Sequence, residues 1–462
     1  MSGRTGMTKH LRALSAGFTG AVLMVALTAA NDGSAATAAS SPAVFDPSVK
    51  IKHVVIILRE NHTFNSILGP FCARHPARGC RGDDIGTLEP TSTGAKVALK
   101  QGPDIVPNDD HSGTAQQLAW NGGRNNGWDR ITGCKPTGSI PYKCYQAYSP
   151  SQVPNVARYA DNFALSDATR TCQMQASWND KLTWTSACDQ HGFRGDNPKP
   201  EAGTTPGVGW GCESKKVAPW SPDGTSYTNQ PSCIPDYSTG LAFGGAFRST
   251  PVPAQHDNLF ENCDAKSGCT WTDYNTTRIW SPAAMRVYSA YKRPRYSTPA
   301  AFLNDAAAGT LPSISFVTSS LTAKSDSFHN GNSMTLGDNS VGLEVSAVMN
   351  GPAWSSTAIF LTWDDCGCFY DPVAPNRVPM VIISPYVRAQ FTDHTATTFA
   401  GVQRFVEQAF GLPAMNANDA GAYPYSNAFD FTQTPLGPVS ATMTPVPASS
   451  VNHPDPIDND DS

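Results

Sequence analysis

The fold is decided by the stretch Ile-Lys-His-Val-Val-Ile-Ile-Leu at residues 51–58. Such a near-continuous run of β-branched and apolar residues is typical of a strand that is buried on both faces in a parallel sheet. Helical periodicity is clearest at 398–411, with a shorter candidate at 341–349. Strands that alternate with helices predict an α/β fold with a central, mostly parallel sheet and helices on both faces. Further short runs that fit strands lie at residues 163–165, 313–318, 358–362 and 378–383.

The composition excludes two broad classes of protein. The 462 residues include 33 Lys plus Arg against 38 Asp plus Glu, a formal net charge of −5. A protein held to nucleic acid by phosphate contacts needs a basic face, so no nucleic-acid binding is expected. The one long apolar run lies at the N-terminus, which excludes a polytopic membrane protein.

The first 38 residues have the pattern of a signal peptide. Three basic residues, Arg4, Lys9 and Arg12, precede an apolar stretch, and Ala-Thr-Ala at 36–38 gives an A-x-A cleavage signal. We therefore predict cleavage after residue 38 and a secreted protein, either extracellular or periplasmic. A membrane anchor is the alternative, which the glycines within the apolar stretch disfavour.

Twelve cysteines follow the predicted signal peptide. An even count in an exported protein predicts disulfide bonds, and no C-x-x-C motif supports a zinc ribbon or a thioredoxin-like site. For the C-x-C pair Cys366 and Cys368, a tight bridge and separate partners both stay open. Proximity in sequence favours five pairs: Cys72–Cys80, Cys134–Cys144, Cys172–Cys188, Cys212–Cys233 and Cys263–Cys269.

Composition divides the mature chain into three parts. We predict a catalytic domain at 39–433, within which 195–310 forms a loop-rich, disulfide-stapled insertion or cap. Residues 434–462 are rich in Pro, Ser, Thr and Asp, which predicts a disordered acidic tail.

Oxygen-bearing side chains follow two of the predicted strands. Glu60 and Asn61 come directly after the first strand, and Asp364 and Asp365 follow the strand at 358–362. Open α/β sheets bind ligands at the carboxyl ends of their strands. Adjacent carboxylates repel each other unless a cation or hydrogen-bond donors neutralise them, and hard divalent cations prefer such oxygens. The pattern favours a shared divalent cation, with a solvated turn or a helix cap as the alternative for each motif.

A third candidate is Ser177, which lies at the start of a predicted helix. Its hydroxyl is a potential nucleophile, with phosphate held at the helix N-terminus. A helix cap is the alternative role, and spacing alone favours the cap.

Five segments, taken in order, carry a resemblance to a known family. The first reads Ile-Lys-His-Val-Val-Ile-Ile-Leu-Arg-Glu-Asn-His-Thr-Phe-Asn at 51–65. It resembles the opening of the bacterial phosphoesterase family, which holds non-haemolytic phospholipases C and a group of acid phosphatases; there a hydrophobic strand precedes Glu-Asn-Arg-Ser-Phe-Asp. The other segments are similar to the family's and come in its order, at 104–129, 161–179, 359–373 and 378–412.

The resemblance implies an alkaline-phosphatase-like α/β sandwich that hydrolyses phosphate esters through a phosphoseryl intermediate on Ser177. It implies that His111 and His329 contact the phosphoryl group, and it leaves His394 and His256 as weaker candidates. It also implies one or more divalent metal ions, whose identity the ligand types leave open. The implied metal ligands are Glu60, Asn61, Asp364 and Asp365.

Departures from the family pattern put the substrate in doubt. His62 stands where the family usually has Arg, Trp178 and Asp180 replace Pro and Arg around Asn179, and Pro372 replaces a His. Phospholipase C and acid phosphatase activity both stay open, as does a peripheral contact with a membrane surface. A catalytically divergent exported binding protein on the same scaffold is the alternative from another class. An apolar rim or internal packing are the two roles open to the tryptophans of the insertion, Trp210, Trp220 and Trp271.

Overall fold

The architecture comes from a computed structural model of the chain. It describes residues 45–88, 95–137, 140–207, 210, 214–221, 223–232, 258–275, 296–318 and 326–451. The signal peptide at 1–38, the Cys212–Cys233 pair, His256 and the end of the tail at 452–462 lie outside the described residues.

A central sheet organises the described residues. Its eight strands are β1 (His53–Arg59), β2 (Ala164–Ser166), β3 (Trp271–Tyr274), β4 (Tyr296–Ser297), β5 (Ile314–Thr318), β6 (Thr357–Trp363), β7 (Met380–Ile383) and β8 (Thr392–Asp393). Across the sheet their order is β4-β3-β5-β1-β6-β7-β2-β8. All neighbouring pairs are parallel except the two that β7 makes. The prediction of an α/β fold with a mostly parallel sheet is confirmed.

The connections between strands contain most of the helices. In chain order they are α1 (Phe64–Arg74), α2 (Gly113–Trp120), α3 (Pro154–Asn162), α4 (Ser177–Trp184), α5 (Leu259–Ala265), α6 (Pro299–Ala308), α7 (Met334–Asn350) and α8 (Ala400–Phe410). The periodic segment at 398–411 becomes α8, which ends at a left-handed Gly411 as expected of a helix C-terminus. In the part of the chain that the structure describes, no helix has the length and apolar character needed to span a bilayer.

Aromatic contacts show that helices cover both faces of the sheet. Phe316 of β5 contacts Trp184 of α4 and Phe260 of α5, with ring centroids 6.2 and 5.2 Å apart. Tyr274 of β3 is in register with the residue after Phe316, so its side chain points to the opposite face. There it contacts Phe302 of α6, with centroids 5.2 Å apart.

The pairing of β1 with β6 brings two of the candidate motifs together. These parallel strands are adjacent, and Arg59 lies opposite Trp363 at their carboxyl ends. The next residues along each strand, Glu60 and Asp364, therefore begin at the same edge of the sheet. The backbone N of Asp364 donates to the carbonyl of Arg59 at 2.9 Å, which continues the pairing to this point.

Four of the five expected cysteine pairs are confirmed: Cys72–Cys80, Cys134–Cys144, Cys172–Cys188 and Cys263–Cys269. Cys366 and Cys368 are buried free thiols, with their Sγ atoms 2.7 Å apart.

The predicted insertion at 195–310 is shorter than expected. A small separate sheet of three strands is present, formed by Lys199–Pro200, Lys216–Trp220 and Thr228–Pro231. However, β3 and β4 belong to the main sheet and α5 and α6 pack on it, so the described residues 258–275 and 296–310 are part of the main fold. The edge strands have at most four residues each, too few to show a periodic pattern in sequence.

The prediction of a disordered tail is wrong for residues 434–444. Two asparagine side chains, Asn155 and Asn339, each form a pair of hydrogen bonds with the backbone of the tail, at Thr442 and Thr444 respectively, over 2.7–2.9 Å. Leu436 packs against the core. These side-chain amides, which are distant in sequence, form hydrogen bonds with a tail backbone that belongs to no helix or strand. The composition of the tail does not reveal such partners.

The three tryptophans assigned to the insertion are buried, with exposed fractions of 5% for Trp210, 2% for Trp220 and 1% for Trp271. Trp271 stacks on Phe260 at 4.1 Å, and the indole N of Trp220 donates to the carbonyl of His191. Of the two roles left open, the structure favours internal packing over an apolar rim.

We expect Asp338→Ala to lower the free energy of unfolding by roughly 2–4 kcal/mol. The first residue before α3, Val153, provides no side-chain cap. Instead the Asp338 carboxylate accepts hydrogen bonds from the backbone N atoms of Asn155 and Val156, both at 3.0 Å. Alanine would leave these buried donors unsatisfied. Urea denaturation measures the change, and Asp338→Asn, which keeps one acceptor oxygen, should lose less. A loss below about 0.5 kcal/mol for the alanine variant would contradict this capping role.

Candidate active site

The candidate site lies where β1 and β6 end and α4 begins. Asn61 has a left-handed backbone with φ of 58°, a conformation that asparagine adopts more readily than most residues. Gly367 lies against it, because a Cβ at that position would be 2.0 Å from the Asn61 carbonyl O. The left-handed backbone of Asn61 and the lack of a side chain at Gly367 together let the two strand-end segments approach closely.

Backbone donors orient the two aspartates. Asp364 Oδ1 accepts from the backbone N of Asn61 at 3.0 Å and of Asp365 at 2.8 Å. Asp365 Oδ1 accepts from the backbone N of Gly367 at 2.8 Å. The other Asp365 oxygen, Oδ2, accepts from the Ser177 hydroxyl at 2.8 Å. The aspartates are thus fixed by the loop, and one carboxylate oxygen faces the candidate nucleophile.

Ser177 is the first residue of α4, and the preceding Ala176 occupies the N-cap position without a side-chain hydrogen bond. The alternative role of Ser177 as a helix cap is therefore wrong. Its hydroxyl is fully buried and directed at Asp365, with the Asn61 side-chain amide 3.2 Å away.

Two histidines, His111 and His329, face the side-chain amide of Asn61. His111 Nδ1 donates to the carbonyl of Asp109 at 2.9 Å, and His329 Nδ1 donates to the carbonyl of Asn330 at 2.8 Å. Because a carbonyl only accepts, these bonds place the proton on Nδ1 when either ring is neutral. Each Nε2 then lies near the Asn61 side-chain amide, at 3.3 Å for His111 and 3.1 Å for His329.

The structure does not bring His394 into this group. Its side chain is 58% exposed, and its Nδ1 lies 2.9 Å from Asp167 Oδ1. His256 lies outside the described residues. The seven other candidates lie together: Glu60, Asn61, His111, Ser177, His329, Asp364 and Asp365.

Sequence reasoning missed two charged residues of α4. Lys181 is fully buried, and its Nζ lies 2.5 Å from Glu60 Oε1 and 3.5 Å from Asp364 Oδ2. Asp180 is fully buried too, and neither of its carboxylate oxygens accepts a hydrogen bond from the described residues. Their spacing could have revealed them, because the residues three and four positions after Ser177 lie on the same side of the helix as Ser177.

Burial and repulsion from neighbouring carboxylates raise the pKa values of Asp365, Glu60 and Asp180. For Asp365, burial is the larger cause and the Asp364 charge the next. The pKa of Glu60 is raised by burial and then by Asp364, against a smaller lowering by Lys181. The pKa of Asp180 is raised by burial and then by Asp365 and Asp364. The four carboxylates thus share one buried, electrostatically crowded space.

The donors of this space fit a hard divalent cation in type, although no preformed metal geometry is present. Among the residues that the structure describes, no three His, Cys, Asp or Glu side chains are arranged to hold a metal ion. Nevertheless both Asp180 oxygens are buried and accept no hydrogen bond from the described residues, and Asp364 Oδ2 is buried with the Lys181 ammonium 3.5 Å away. Buried anionic oxygens are costly without a compensating cation, and carboxylate and amide oxygens suit hard divalent ions.

A cavity of about 890 Å³ lies near the site. Asp110 and Ser112, which flank His111, line one side of it. Asn197 lines another side and accepts a hydrogen bond from the backbone N of Trp178, the residue after Ser177. The cavity therefore reaches both the histidine loop and the start of α4. The rest of its lining is Thr132, Gly195, Asp196, Lys199, Pro200, Val217, Pro219 and Asn229.

The Phosphoesterase family profile matches residues 51–413, a segment that includes every residue of this cluster. The chain belongs to the phosphoesterase family. The resemblance carried by the ordered sequence segments is thereby confirmed, and the phosphoesterase is a phosphoric ester hydrolase whose substrate is a phosphate ester.

Curated relatives of the phosphoesterase share low sequence identity with it. Phospholipase C A of Mycobacterium tuberculosis (strain CDC 1551 / Oshkosh) is 22% identical over 439 residues, covering 83% of this chain and 78% of the relative. Non-hemolytic phospholipase C of Burkholderia pseudomallei (strain K96243) is 24% identical over 423 residues, covering 78% of this chain and 55% of the relative. A solved protein in the alkaline phosphatase superfamily from Vibrio parahaemolyticus covers 83% of this chain and 74% of its own, with a TM-score of 0.37 and 10% identity.

Proposed function

We propose that the phosphoesterase is a secreted, metal-dependent hydrolase that uses Ser177 as its nucleophile and forms a phosphoseryl intermediate. The observation that carries the proposal is the 2.8 Å hydrogen bond from the Ser177 hydroxyl to Asp365 Oδ2 in a fully buried setting. A buried carboxylate with a raised pKa is a suitable proton acceptor. Secretion is supported by the four disulfides among the described residues, since such bonds persist in oxidising compartments.

In the proposed reaction, Asp365 accepts the proton of Ser177 as Oγ attacks phosphorus. The bond from phosphorus to the leaving oxygen breaks, and His111 or His329, in its protonated form, donates a proton to the departing alcohol. A water molecule then attacks the phosphoseryl phosphorus while the same histidine, now neutral, accepts a proton from it. The bond from phosphorus to Ser177 Oγ breaks, Asp365 returns its proton to Oγ, and phosphate or its monoester is released. A divalent ion held by Glu60, Asn61, Asp364 and Asp365 would stabilise the serine alkoxide and neutralise a phosphoryl oxygen.

The surroundings of the site favour a small, water-soluble phosphate ester over a lipid. Seven of the eleven residues that line the neighbouring cavity have polar side chains, among them Asp110, Asn197 and Lys199. The tryptophans that could have formed an apolar rim are buried. The phospholipase C relatives support the second candidate, cleavage of a phospholipid at its headgroup phosphate.

A substrate panel tests the function and separates the two candidates. We expect purified protein to release phosphate from p-nitrophenyl phosphate faster than it releases phosphocholine from phosphatidylcholine in mixed micelles. The opposite ranking would identify a phospholipase C. An absence of turnover on every phosphate ester, together with no bound divalent cation, would overturn the proposal in favour of an exported binding protein.

Chelation tests the metal requirement. We expect dialysis against EDTA to lower turnover of the preferred substrate at least about 100-fold, because the ion supplies several kcal/mol of charge stabilisation. Separate additions of Mn²⁺, Ca²⁺, Mg²⁺ and Zn²⁺ should restore activity with at least one of them. Full activity in protein that elemental analysis shows to be free of metal would contradict the requirement.

A further inference from the structure

Lys181 occupies an unusual place for a lysine, inside the cluster of carboxylates. Its side chain is fully buried, and its ammonium contacts Glu60 at 2.5 Å and Asp364 at 3.5 Å. The ring of Trp210 lies 5.3 Å from the same Nζ, within the range of a cation–π interaction. Two of the four residues expected to hold a metal ion therefore already contact a cation that belongs to the chain.

Helix geometry explains how the ammonium enters the site. Ser177 and Lys181 are four residues apart on α4 and share one side of the helix. The hydroxyl reaches Asp365 while the longer lysine side chain passes to Glu60, at the end of β1. Asp180, on the same helix turn, adds a further buried carboxylate to the space.

The charges of the cluster indicate what the ammonium does. The four carboxyl groups, Glu60, Asp180, Asp364 and Asp365, are all buried, and they would carry four negative charges once bound cations displace their protons, which would match two divalent ions. Lys181 supplies one positive charge, so a single divalent ion leaves an excess of only one negative charge. A second ion at the metal–oxygen distance of about 2.0–2.6 Å from Glu60 Oε1 would also meet direct repulsion from the ammonium.

We propose that Lys181 is a resident cation that takes the place of one divalent ion. Of the four implied ligands, Glu60 then pairs with the Lys181 ammonium, and the site binds a single exchangeable ion beside the other three, Asn61, Asp364 and Asp365. This inference rests on the metal-dependent function proposed above. It assigns Lys181 a positioning role: its ammonium compensates Glu60 and restricts the ion to the side of the cluster that faces Ser177.

Counting bound Mn²⁺ tests the inference without measuring activity. Metal-free full-length protein is dialysed to equilibrium against Mn²⁺, and the metal is quantified by elemental analysis. We expect one ion in the wild type and two in Lys181→Gln. We also expect the two spins in the variant to couple in the electron paramagnetic resonance spectrum, because both ions would lie in one carboxylate cluster. The double variant Lys181→Gln/Glu60→Gln, which removes both charges of the ion pair, should return to one ion.

The outcomes distinguish this inference from the proposed function. Equal numbers of ions in the wild type and Lys181→Gln would overturn the role of Lys181 and leave the metal-dependent function standing. A wild type without any bound ion would overturn the metal requirement itself. Two ions in the wild type would refute the inference even if no variant folded. Lys52→Gln, at an exposed lysine whose Nζ contacts only the carbonyl of Ser48 among the described residues, is the matched control and should bind one ion. Circular dichroism verifies the fold of each variant.

Discussion

Replacing Ser177 by alanine is expected to lower turnover of p-nitrophenyl phosphate by on the order of 10⁴-fold, because no other group would replace the attacking oxygen. The buried hydroxyl of Ser177 lies 2.8 Å from Asp365 Oδ2 and 3.2 Å from the side-chain amide of Asn61, which the Nε2 atoms of both histidines also approach. Removing one oxygen at the first turn of α4 leaves every backbone hydrogen bond of the helix in place. Initial rates at saturating substrate, measured on folded protein, give the effect.

A second readout makes the Ser177 assignment specific. Brief incubation of the wild type with substrate at low pH, followed by acid quenching, should trap a phosphorylated peptide that contains Ser177, and mass spectrometry should find none in Ser177→Ala. Ser151→Ala is the matched control, since Ser151 is exposed and hydrogen bonds to Ser149 at the surface. Turnover within tenfold of the wild type in Ser177→Ala would rule out the nucleophile.

Asp365→Asn is expected to lower turnover by about 10³-fold, within the range of a lost general base. Asparagine has nearly the shape of aspartate and keeps an oxygen for the 2.8 Å bond from the backbone N of Gly367. It cannot accept a proton from Ser177, and it removes one negative charge from the proposed ion site. We therefore expect weaker Mn²⁺ binding together with slower turnover.

The two effects of Asp365→Asn are separated by measuring turnover over a range of Mn²⁺ concentrations. A variant impaired only in ion binding would recover wild-type turnover at high Mn²⁺, whereas loss of the proton acceptor leaves it slow at saturation. Asp430→Asn, at a surface carboxylate that hydrogen bonds to Thr432, controls for the substitution itself. Full recovery at saturating Mn²⁺ would contradict the role of Asp365 as proton acceptor.

Much of the sheet could be predicted because its central strands are continuous apolar runs. β1 and β6 are buried on both faces, and residues with that pattern have few alternative structures. The same pattern places Glu60 and Asp364 at strand ends, so their meeting at one edge follows from parallel pairing. The short strand Trp271–Tyr274, next to the edge of the sheet, in contrast has too few residues for a periodic signal.

The roles of polar residues were harder to predict. Spacing alone gives Ser177 the position of a helix cap, but its hydroxyl donates a hydrogen bond to Asp365, which lies 188 residues later in the chain. Lys181 and Asp180 would ordinarily belong to a solvated helix surface, and only the packing of α4 against the ends of β1 and β6 buries them. The order of residues 434–444 could not be predicted for the same reason, because Asn155 and Asn339, whose side chains hydrogen bond to this segment, lie far away in sequence.

Local sequence patterns were enough to predict the α/β class, four of the disulfide pairs and the strand-end positions of the candidate ligands, because strand periodicity and close cysteine spacing are local properties. The tertiary structure alone decided that Ser177 faces Asp365 and that Lys181 neutralises Glu60. Those contacts join residues separated by more than 100 positions, and their energies depend on burial, which no local pattern encodes.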